Sequence, residues 1–263
     1  MKNVRKTFKV GQQDIEVLKG ISLDINRGDF AIIFGPSGCG KSTLLHTILG
    51  MEKPSEGTVE LEGQPLYEMT EDKMVSYRKT RVGVVFQQSI WIKSLNVLEN
   101  VCVPSRLMGR SRELSEKTAL ENLKVFGLEA WSTYFPSELS SGQQQRVSLA
   151  RALTIDPVVI VADEPTGNLD TVSGDQLMEL LAALNQKQGK TVLMVTHDLE
   201  YLRYATKLFH IVDGKLVEEY DSKGAAKLAL SLRSKKGNRG EKTVKDVDFL
   251  KVNNKKYGGV AKV

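Results

Sequence analysis

The chain has 263 residues, 41% of them hydrophobic, and a formal net charge of +5. This is enough for one large α/β domain or two small ones with an ordinary core. The two cysteines, Cys39 and Cys102, exclude a disulfide framework and a four-cysteine zinc site. The longest apolar run, residues 158–162, is far shorter than the ~18 residues that cross a bilayer, so a soluble cytosolic protein is expected.

The positive charge is concentrated at the C-terminal end of the chain. Residues 221–263 contain 12 Lys/Arg against 4 Asp/Glu, whereas residues 1–220 contain 25 against 28. A mildly acidic body with a basic extension is therefore predicted. The extension is either a solvated appendage or a contact for an anionic lipid surface or an acidic partner. Nothing else in the sequence favours nucleic acid.

Short alternating apolar patterns in residues 1–27 predict antiparallel strands. A continuous apolar run at residues 30–34 predicts a buried strand. A glycine-rich turn then leads into a helix predicted over residues 41–49, with Gly50 placed to end it. A hairpin-like piece is expected around residues 58–61.

A strand predicted at residues 82–86 ends at Gln87, and helical spacing dominates from about residue 89 to residue 154. Strand and helix alternate again afterwards, with strands predicted at residues 158–162 and 191–195 on either side of a helix. Strands separated by helices imply a largely parallel sheet that helices cover on both faces.

A closing hairpin is predicted at the C-terminal side of this alternation. Asp213-Gly214 is a strong two-residue turn signal between apolar pieces at residues 208–212 and 216–218. Beyond the hairpin, periodicity fades. The predicted class is therefore α/β, with a mainly parallel sheet, an N-terminal antiparallel β-subdomain and an inserted α-helical subdomain.

Residues 35–42, Gly-Pro-Ser-Gly-Cys-Gly-Lys-Ser, fit the pattern G-x-x-x-x-G-K-[ST] between a predicted strand and a predicted helix. In this phosphate loop, backbone N–H groups and the helix dipole face nucleotide phosphates. Lys41 is expected to reach the β- and γ-phosphates, and the Ser42 hydroxyl to bind Mg²⁺. A glycine-rich turn without a ligand is the alternative. The residues assigned to nucleotide binding here are Gly35, Pro36, Ser37, Gly38, Cys39, Gly40, Lys41, Ser42 and Thr43.

With the phosphate loop placed, the chain divides into four predicted parts. They are the antiparallel β-subdomain and first part of a nucleotide-binding core (1–88), the helical subdomain (89–154), the second part of the core (155–220) and the basic extension (221–263).

Two carboxylates follow the apolar strand at residues 158–162. In an open α/β sheet such strand ends face the ligand crevice. Asp163 is suited to hold Mg²⁺ through water, and Glu164 is the candidate to polarise an attacking water. The alternative is a pair of exposed acids with no role. His197 closes the next strand and should arrive on the same edge of the sheet.

The ordered motifs resemble those of the ATP-binding cassette (ABC) ATPases over about residues 1–220. They are the phosphate loop, Gln87, Leu-Ser-Ser-Gly-Gln at residues 139–143, Asp163-Glu164, residues 168–170 and His197. The resemblance implies a Q-loop at Gln87 that senses Mg²⁺ and the attacking water, a D-loop that includes Asp170, and a switch histidine at His197 that contacts the γ-phosphate. Phe8 matches the aromatic residue that stacks on adenine, although it could equally belong to the core.

The resemblance also implies a head-to-tail homodimer in which each phosphate loop faces the partner's signature loop, residues 139–143. Ser140, Gly142 and Gln143 would then bind the ATP held by the partner's Lys41. Ser141 stands where the family usually has a glycine. Its Cβ would restrict the backbone if that position needs a positive φ.

A separate integral membrane permease subunit is the implied partner, with the ATPase peripheral on the inner face of the cell membrane. Residues 162–170 and 97–101 are similar to the group of macrolide-exporter, lipoprotein-releasing and cell-division ATPases. Residues 89–93, which contain Trp91 between two isoleucines, would either dock the membrane subunit or belong to the core. The competing functions are a regulatory ATPase that gates an extracytoplasmic cell-wall hydrolase, and a soluble ABC ATPase acting on nucleic acid or the ribosome.

Overall fold

The computed structural model describes residues 1–234, and the elements named here belong to that part of the chain. The strands are β1 (Lys2–Val10), β2 (Gln13–Ile21), β3 (Phe30–Phe34), β4 (Glu56–Thr58), β5 (Glu60–Leu61), β6 (Gln64–Pro65), β7 (Val82–Phe86), β8 (Val159–Asp163), β9 (Thr191–Thr196), β10 (Lys207–Val212) and β11 (Lys215–Asp221). The α-helices are α1 (Lys41–Ile48), α2 (Glu71–Arg81), α3 (Val97–Leu107), α4 (Arg112–Val125), α5 (Ser141–Leu153), α6 (Thr171–Gln188) and α7 (Ser222–Ser234).

A six-stranded sheet forms the centre of the molecule, in the order β11-β10-β3-β9-β8-β7. Its pairs are parallel except for the β10–β11 hairpin. This hairpin turns at Asp213 and Gly214, both of which have positive φ, as a two-residue hairpin turn requires. Every residue of β3 and β9 is buried, which is the pattern of a parallel sheet covered on both faces. The predicted fold class is confirmed.

The N-terminal residues form an antiparallel sheet in the order β2-β1-β4. Strands β1 and β2 pair from Val4 opposite Ile21 to Val10 opposite Gln13. This sheet lies against the start of α1, because a Cβ added to Gly40 would be 3.0 Å from the carbonyl oxygen of Val17 in β2. The antiparallel part therefore flanks the phosphate loop.

Four neighbouring parallel strands, β3, β9, β8 and β7, end at the same edge of the central sheet. The residues that follow them, in the order of the strands across the sheet, are Gly35, His197, Glu164 and Gln87. Motifs that are far apart in the sequence therefore lie side by side at the edge formed by the carboxyl ends of the strands. Ligands bind at this edge in open α/β sheets.

Helices α3, α4 and α5 pack on one another, and α5 packs against β7. Asn96 and Glu99 form a capping box at the start of α3, which satisfies two backbone N–H groups that the helix cannot pair. Asn100 is fully buried. Its carboxamide donates to three carbonyl groups of the preceding loop and accepts the N–H of Ile92. Asn100 therefore ties the loop that leads into α3 to the helix itself.

Two helices were not predicted from the sequence. Helix α2 has no buried residue, so it lacks the apolar stripe by which helices are recognised. Its Thr70 cap, acidic first turn and basic last turn stabilise it instead. The sequence also predicts no regular structure after the β10–β11 hairpin. This prediction is wrong for residues 222–234, which form helix α7. The helix buries Ala225 and Ala229, small residues whose spacing gives a weak hydrophobic signal.

Predictions for the rest of the basic extension concern residues 235–263, which lie outside the described residues. Among residues 1–234, no helix combines the length and hydropathy needed to cross a bilayer.

Candidate active site

The phosphate loop joins β3 to α1. Gly40 caps α1 with φ 99°, a left-handed conformation that favours glycine. Lys41, the first residue of the helix, is 5% exposed, and its Nζ donates to the carbonyl oxygens of Gly35 and Pro36, each at 2.9 Å. The ammonium is therefore held at the mouth of the loop. The first N–H groups of α1 lack intrahelical partners, which makes this helix end a site for an anion.

Cys39 lies inside the loop and is buried. Its carbonyl oxygen accepts the N–H of Gly214 at 3.0 Å, which ties the loop to the β10–β11 turn. A Cβ on Gly35 would lie 2.0 Å from the carbonyl oxygen of Ile211 in β10. Glycine is required there because the two backbones approach so closely.

Asp163 ends β8, and Glu164 follows it in a left-handed conformation with φ 45°. The N–H of Glu164 donates to the carbonyl oxygen of Val195 at 2.9 Å, so β9 holds this conformation in place. Non-glycine residues in this region cost about 1–3 kcal/mol and cluster at functional sites. Here the left-handed conformation occurs at Glu164, the residue that the sequence predicts to polarise the attacking water.

His197 lies next to Glu164, with its Nδ1 3.2 Å from Oε2 of the carboxylate. The Glu164 side chain is 22% exposed and that of His197 is 54% exposed. The pair is thus open on the histidine side. Because β8 and β9 are paired in register, the contact follows from the sheet itself.

Burial raises the pKa of the Asp163 carboxyl above its ordinary value, and the neighbouring Glu164 carboxylate adds to the rise. His46 and Lys41, both on α1, act in the opposite direction. Burial makes the charged form of Asp163 unfavourable, and nearby positive charge offsets this cost. A bound cation would favour the charged form further, so Asp163 is a good cation ligand.

Gln87 follows β7 and lies against the chain after Glu164. A Cβ on Gly167 would be 2.6 Å from Nε2 of Gln87, and Nδ2 of Asn168 donates to the Gln87 carbonyl oxygen at 3.5 Å. The predicted Q-loop and D-loop are therefore in direct contact. This neighbourhood brings Gln87 to the edge that carries Glu164 and His197.

The signature loop leads into α5. Ser140 caps the helix by accepting the N–H of Gln143 at 3.3 Å, and the Gln143 carboxamide accepts the N–H of Ser140 at 2.9 Å. Ser141 is the first residue of α5, is exposed and does not have positive φ. The backbone strain that Ser141 would cause at a positive φ is therefore absent.

Gly142 is glycine for a different reason. It is buried in α5 without positive φ, but an added Cβ would lie 2.7 Å from Oγ and 2.8 Å from Cβ of Ser173. Ser173 in turn donates through its N–H and hydroxyl to Asp170, the N-cap of α6. These bonds lower the pKa of Asp170. Sequence reasoning missed Ser173, although an Asp-x-x-Ser pattern at a helix start could have indicated it.

The site residues thus form two groups. The phosphate loop, Gln87, Asp163, Glu164 and His197 share the carboxyl edge of the sheet, whereas the signature loop contacts the start of α6, where Asp170 lies. Among the hydrogen bonds and ion pairs of residues 1–234, none joins the signature loop to the phosphate loop. Phe8 is half-buried on β1, opposite Ile15, and the Lys6 ammonium is 4.8 Å from its ring centroid.

The structure separates the three apolar residues of the segment 89–93. Ile90 and Ile92 are 67% and 46% exposed. Trp91 is partly buried against the core, and its Nε1 donates to Oε1 of Gln144 at 3.0 Å. Ile90 and Ile92 are therefore the apolar residues of this segment available for docking, because the Trp91 indole packs against the helical part.

Comparison with known proteins places the chain in a family. The profile of the family described as ABC transporter matches residues 18–167. The chain is 42% identical to the uncharacterized ABC transporter ATP-binding protein MJ0796 of Methanocaldococcus jannaschii, over 85% of this chain and 97% of that protein. It is 39% identical to the macrolide export ATP-binding/permease protein MacB of Chlorobaculum tepidum, over 82% of this chain and 33% of that protein.

Solved structures agree with the sequence relatives. The dimeric structure of a post-hydrolysis state of the ATP-binding cassette MJ0796 bound to ADP and Pi matches with a TM-score of 0.79 at 41% identity, covering 85% of this chain and 98% of that one. The structure of cbiO1 from Clostridium perfringens, described as part of the ABC transporter complex cbiONQ, matches at 27% identity with a TM-score of 0.73, covering 84% of this chain and 89% of that one. The chain therefore belongs to the ABC transporter family, as one of its ATP-binding, ATP-hydrolysing subunits.

Proposed function

We propose that two copies of the chain close head to tail around MgATP, so that the signature loop of each completes the site of the other. The observation that carries this is the separation of the two groups of site residues within one chain. The phosphate loop has its catalytic neighbours beside it, whereas the signature loop presents an exposed, capped helix start to solvent. Dimeric structures of a relative at 41–42% identity support the proposal.

The phosphate loop binds the nucleotide of its own chain. Lys41 exchanges its two carbonyl acceptors for the β- and γ-phosphates, and the free N–H groups at the start of α1 donate to the same oxygens. Phe8 lies on the antiparallel sheet that flanks this loop, from which its ring stacks on the adenine. The nucleotide is thus held at both ends.

The donor set at the sheet edge fits Mg²⁺. The Ser42 hydroxyl, the Gln87 carboxamide and the Asp163 carboxylate all offer oxygen, the ligand that this ion prefers. When bound, Mg²⁺ neutralises charge on the β- and γ-phosphates. The task of these three side chains is to orient the ion and the phosphates for attack by water.

Glu164 and His197 act on that water and on the γ-phosphate. Glu164 polarises the water, and the contact of its Oε2 with His197 fixes the direction in which the carboxylate faces. As an imidazolium, His197 donates from Nδ1 to this carboxylate and from Nε2 to the γ-phosphate. Positioning of this kind supplies most of the rate in phosphoryl transfer.

The partner chain supplies the second wall of the site. Because Ser140 and Gln143 already cap α5, the first N–H groups of that helix are aligned for the γ-phosphate of the partner's ATP. Asp170, which caps α6 beside Gly142, is carried to the same interface. ATP stabilises the closed dimer only because it binds both walls, and hydrolysis removes that bridge.

The closing and opening of the dimer would drive a conformational change in a separate integral membrane permease subunit. The ATPase would bind this subunit at the cytoplasmic face of the cell membrane. Ile90 and Ile92 offer apolar surface in the helical part, which also exposes Tyr134 and Phe135, by 43% and 45%. The N–H of Val97 donates to the Tyr134 carbonyl oxygen, which ties the segment with the two aromatic residues to the start of α3. A cytoplasmic apolar segment of the permease fits this surface.

Purification from membranes tests the partner. The Glu164→Gln variant, which stalls with bound ATP, should copurify with an integral membrane protein. Adding Ile90→Ser and Ile92→Ser to this variant should abolish copurification, and the same two substitutions in the parent chain should leave its basal rate of ATP hydrolysis unchanged. Copurification that persists in this variant would contradict the docking surface, and recovery of the stalled chain without any membrane protein would contradict the permease.

A further inference from the structure

Side chains of α5 hold the backbone between β7 and α3. Residues 86–91 leave the central sheet and enter the helical part of the molecule. Arg151 donates from Nη1 to the Ile90 carbonyl oxygen at 2.6 Å, and its guanidinium lies 4.6 Å from the Trp91 ring centroid. Gln144 accepts the Trp91 indole N–H and donates to the Leu139 carbonyl oxygen at 3.0 Å.

Gln145 makes the most consequential of these contacts. Its Nε2 donates to the carbonyl oxygens of Phe86 and Gln87, at 2.9 Å and 2.8 Å, and its Oε1 accepts the Ser89 hydroxyl at 3.4 Å. The side chain is 3% exposed. Both donors and the acceptor of this buried carboxamide are therefore used.

The Gln145 hydrogen bonds link two functional parts of the molecule. Phe86 is the last residue of β7, and Gln87 is the residue proposed to sense Mg²⁺ and the attacking water. Gln145 lies about one helical turn after Ser141, where α5 begins from the signature loop. One carboxamide thus connects the backbone of Gln87, the proposed sensor of Mg²⁺ and water, to the helix that follows the signature loop.

The chemistry of the contact requires a carboxamide. Leucine would remove the Gln145 bond from the Phe86 carbonyl oxygen and would leave the Gln87 carbonyl oxygen with only the longer contact from Asn168, and a part-buried acceptor that loses its donor costs stability. Glutamate would direct carboxylate oxygens at the two carbonyl oxygens. Glutamine is therefore the residue that suits this position.

We propose that Gln145 is a positioning residue for ATP hydrolysis. It fixes the backbone of Gln87 to α5, so that the sensor at one ATP and the signature loop that faces the other ATP move together. The inference rests on the proposed head-to-tail function. It predicts that loss of the Gln145 bonds acts through Gln87 rather than through general weakening of the fold.

A double-mutant cycle tests this. In Gln145→Leu, kcat should fall on the order of 10- to 100-fold because two hydrogen bonds that hold the Gln87 backbone are lost, with KM for MgATP changed by less than about threefold. In the Gln87→Ala background, the same substitution should lower kcat by less than about twofold, because the residue through which it acts is gone.

Asn122→Leu is the matched control. Asn122 is also buried, and its Nδ2 donates to the Ala150 carbonyl oxygen of the same helix at 3.2 Å. It should lower the unfolding midpoint about as much as Gln145→Leu, but leave kcat within about twofold of the parent. If Gln145→Leu does not fold, Gln145→Met gives the same cycle with an unbranched side chain of similar length.

The possible results distinguish failure of the Gln145 positioning role from failure of the proposed head-to-tail ATPase function. Equal losses of kcat from Gln145→Leu in the parent and in Gln87→Ala would overturn the positioning role, as would a control that lowers kcat as much. A parent chain that neither hydrolyses ATP nor dimerises with it would overturn the proposed function instead. Loss confined to the parent background supports the inference.

Discussion

Gly142 offers the most detailed test of how the signature loop is built. The substitution Gly142→Ala places a Cβ 2.7 Å from Oγ and 2.8 Å from Cβ of Ser173, both below the 3.0 Å that real Cβ contacts reach. The Ser173 Cβ cannot swing aside, since it is fixed to the backbone of α6. The overlap must therefore be relieved by separating α5 from α6.

Two opposing terms decide the magnitude. Overpacking a tight contact costs about 1–3 kcal/mol, and two overlapping atoms favour the upper part of this range. Alanine gains at most ~1 kcal/mol over glycine in a helix. The net expectation is a loss of about 1–2 kcal/mol of unfolding free energy, obtained by combining these two ranges.

Urea unfolding of the nucleotide-free chain measures this loss directly. In a Ser173→Gly background both overlapping atoms are absent, so Gly142→Ala should become neutral or stabilising. In a Ser173→Ala background the Cβ overlap remains, so most of the loss should persist. The comparison within each background cancels the cost of losing the Ser173 hydroxyl bond to Asp170.

The reasoning would be refuted if Gly142→Ala cost the same with serine, alanine or glycine at position 173. It would also fail if the single variant unfolded at the parental urea concentration and only ATP-driven dimerisation were lost. That pattern would mean that glycine is required by the partner's phosphate and not by packing within one chain.

Three further predictions follow from the site and its supports. Glu164→Gln should bind ATP with near-parental affinity but hydrolyse it about 10²- to 10⁴-fold more slowly in a phosphate-release assay; a loss below tenfold would contradict the assigned base. Asp163→Asn should raise the thermal midpoint of the nucleotide-free chain at neutral pH, because the folded pKa lies above the unfolded value of 3.8, so the charged form costs stability once pH exceeds both. That gain should vanish as pH falls below the unfolded value, and an undiminished gain in acid would contradict the burial argument. Asn100→Leu should cost about 1–3 kcal/mol by urea unfolding, since the loop loses the four hydrogen bonds of a buried carboxamide, and a shift under about 0.5 kcal/mol would show that the loop re-forms without it.

The catalytic edge could be predicted because each motif follows a strand with a clear apolar pattern. Gly35, Gln87, Glu164 and His197 come directly after four such strands, and the parallel sheet brings their ends together. Their roles were assigned by resemblance. The contact of Glu164 with His197 required the register of β8 and β9, which no pattern specifies.

Other features depend on tertiary contacts that the sequence does not reveal. Trp91 was expected to share one environment with Ile90 and Ile92, but Gln144 and Arg151 draw the indole into the helical part. The need for glycine at position 142 comes from a residue on another helix. Helix α7 is recognisable only when the surface that receives its two alanines is known.

The head-to-tail closure is tested most directly by the mass of the Glu164→Gln chain in solution. Light scattering coupled to size-exclusion chromatography should find a dimer with saturating ATP and Mg²⁺, and a monomer with ADP or without nucleotide. Adding Gly142→Ala should weaken this dimer. A chain that remains monomeric with saturating ATP and Mg²⁺, or dimerises equally with ADP, would contradict the account.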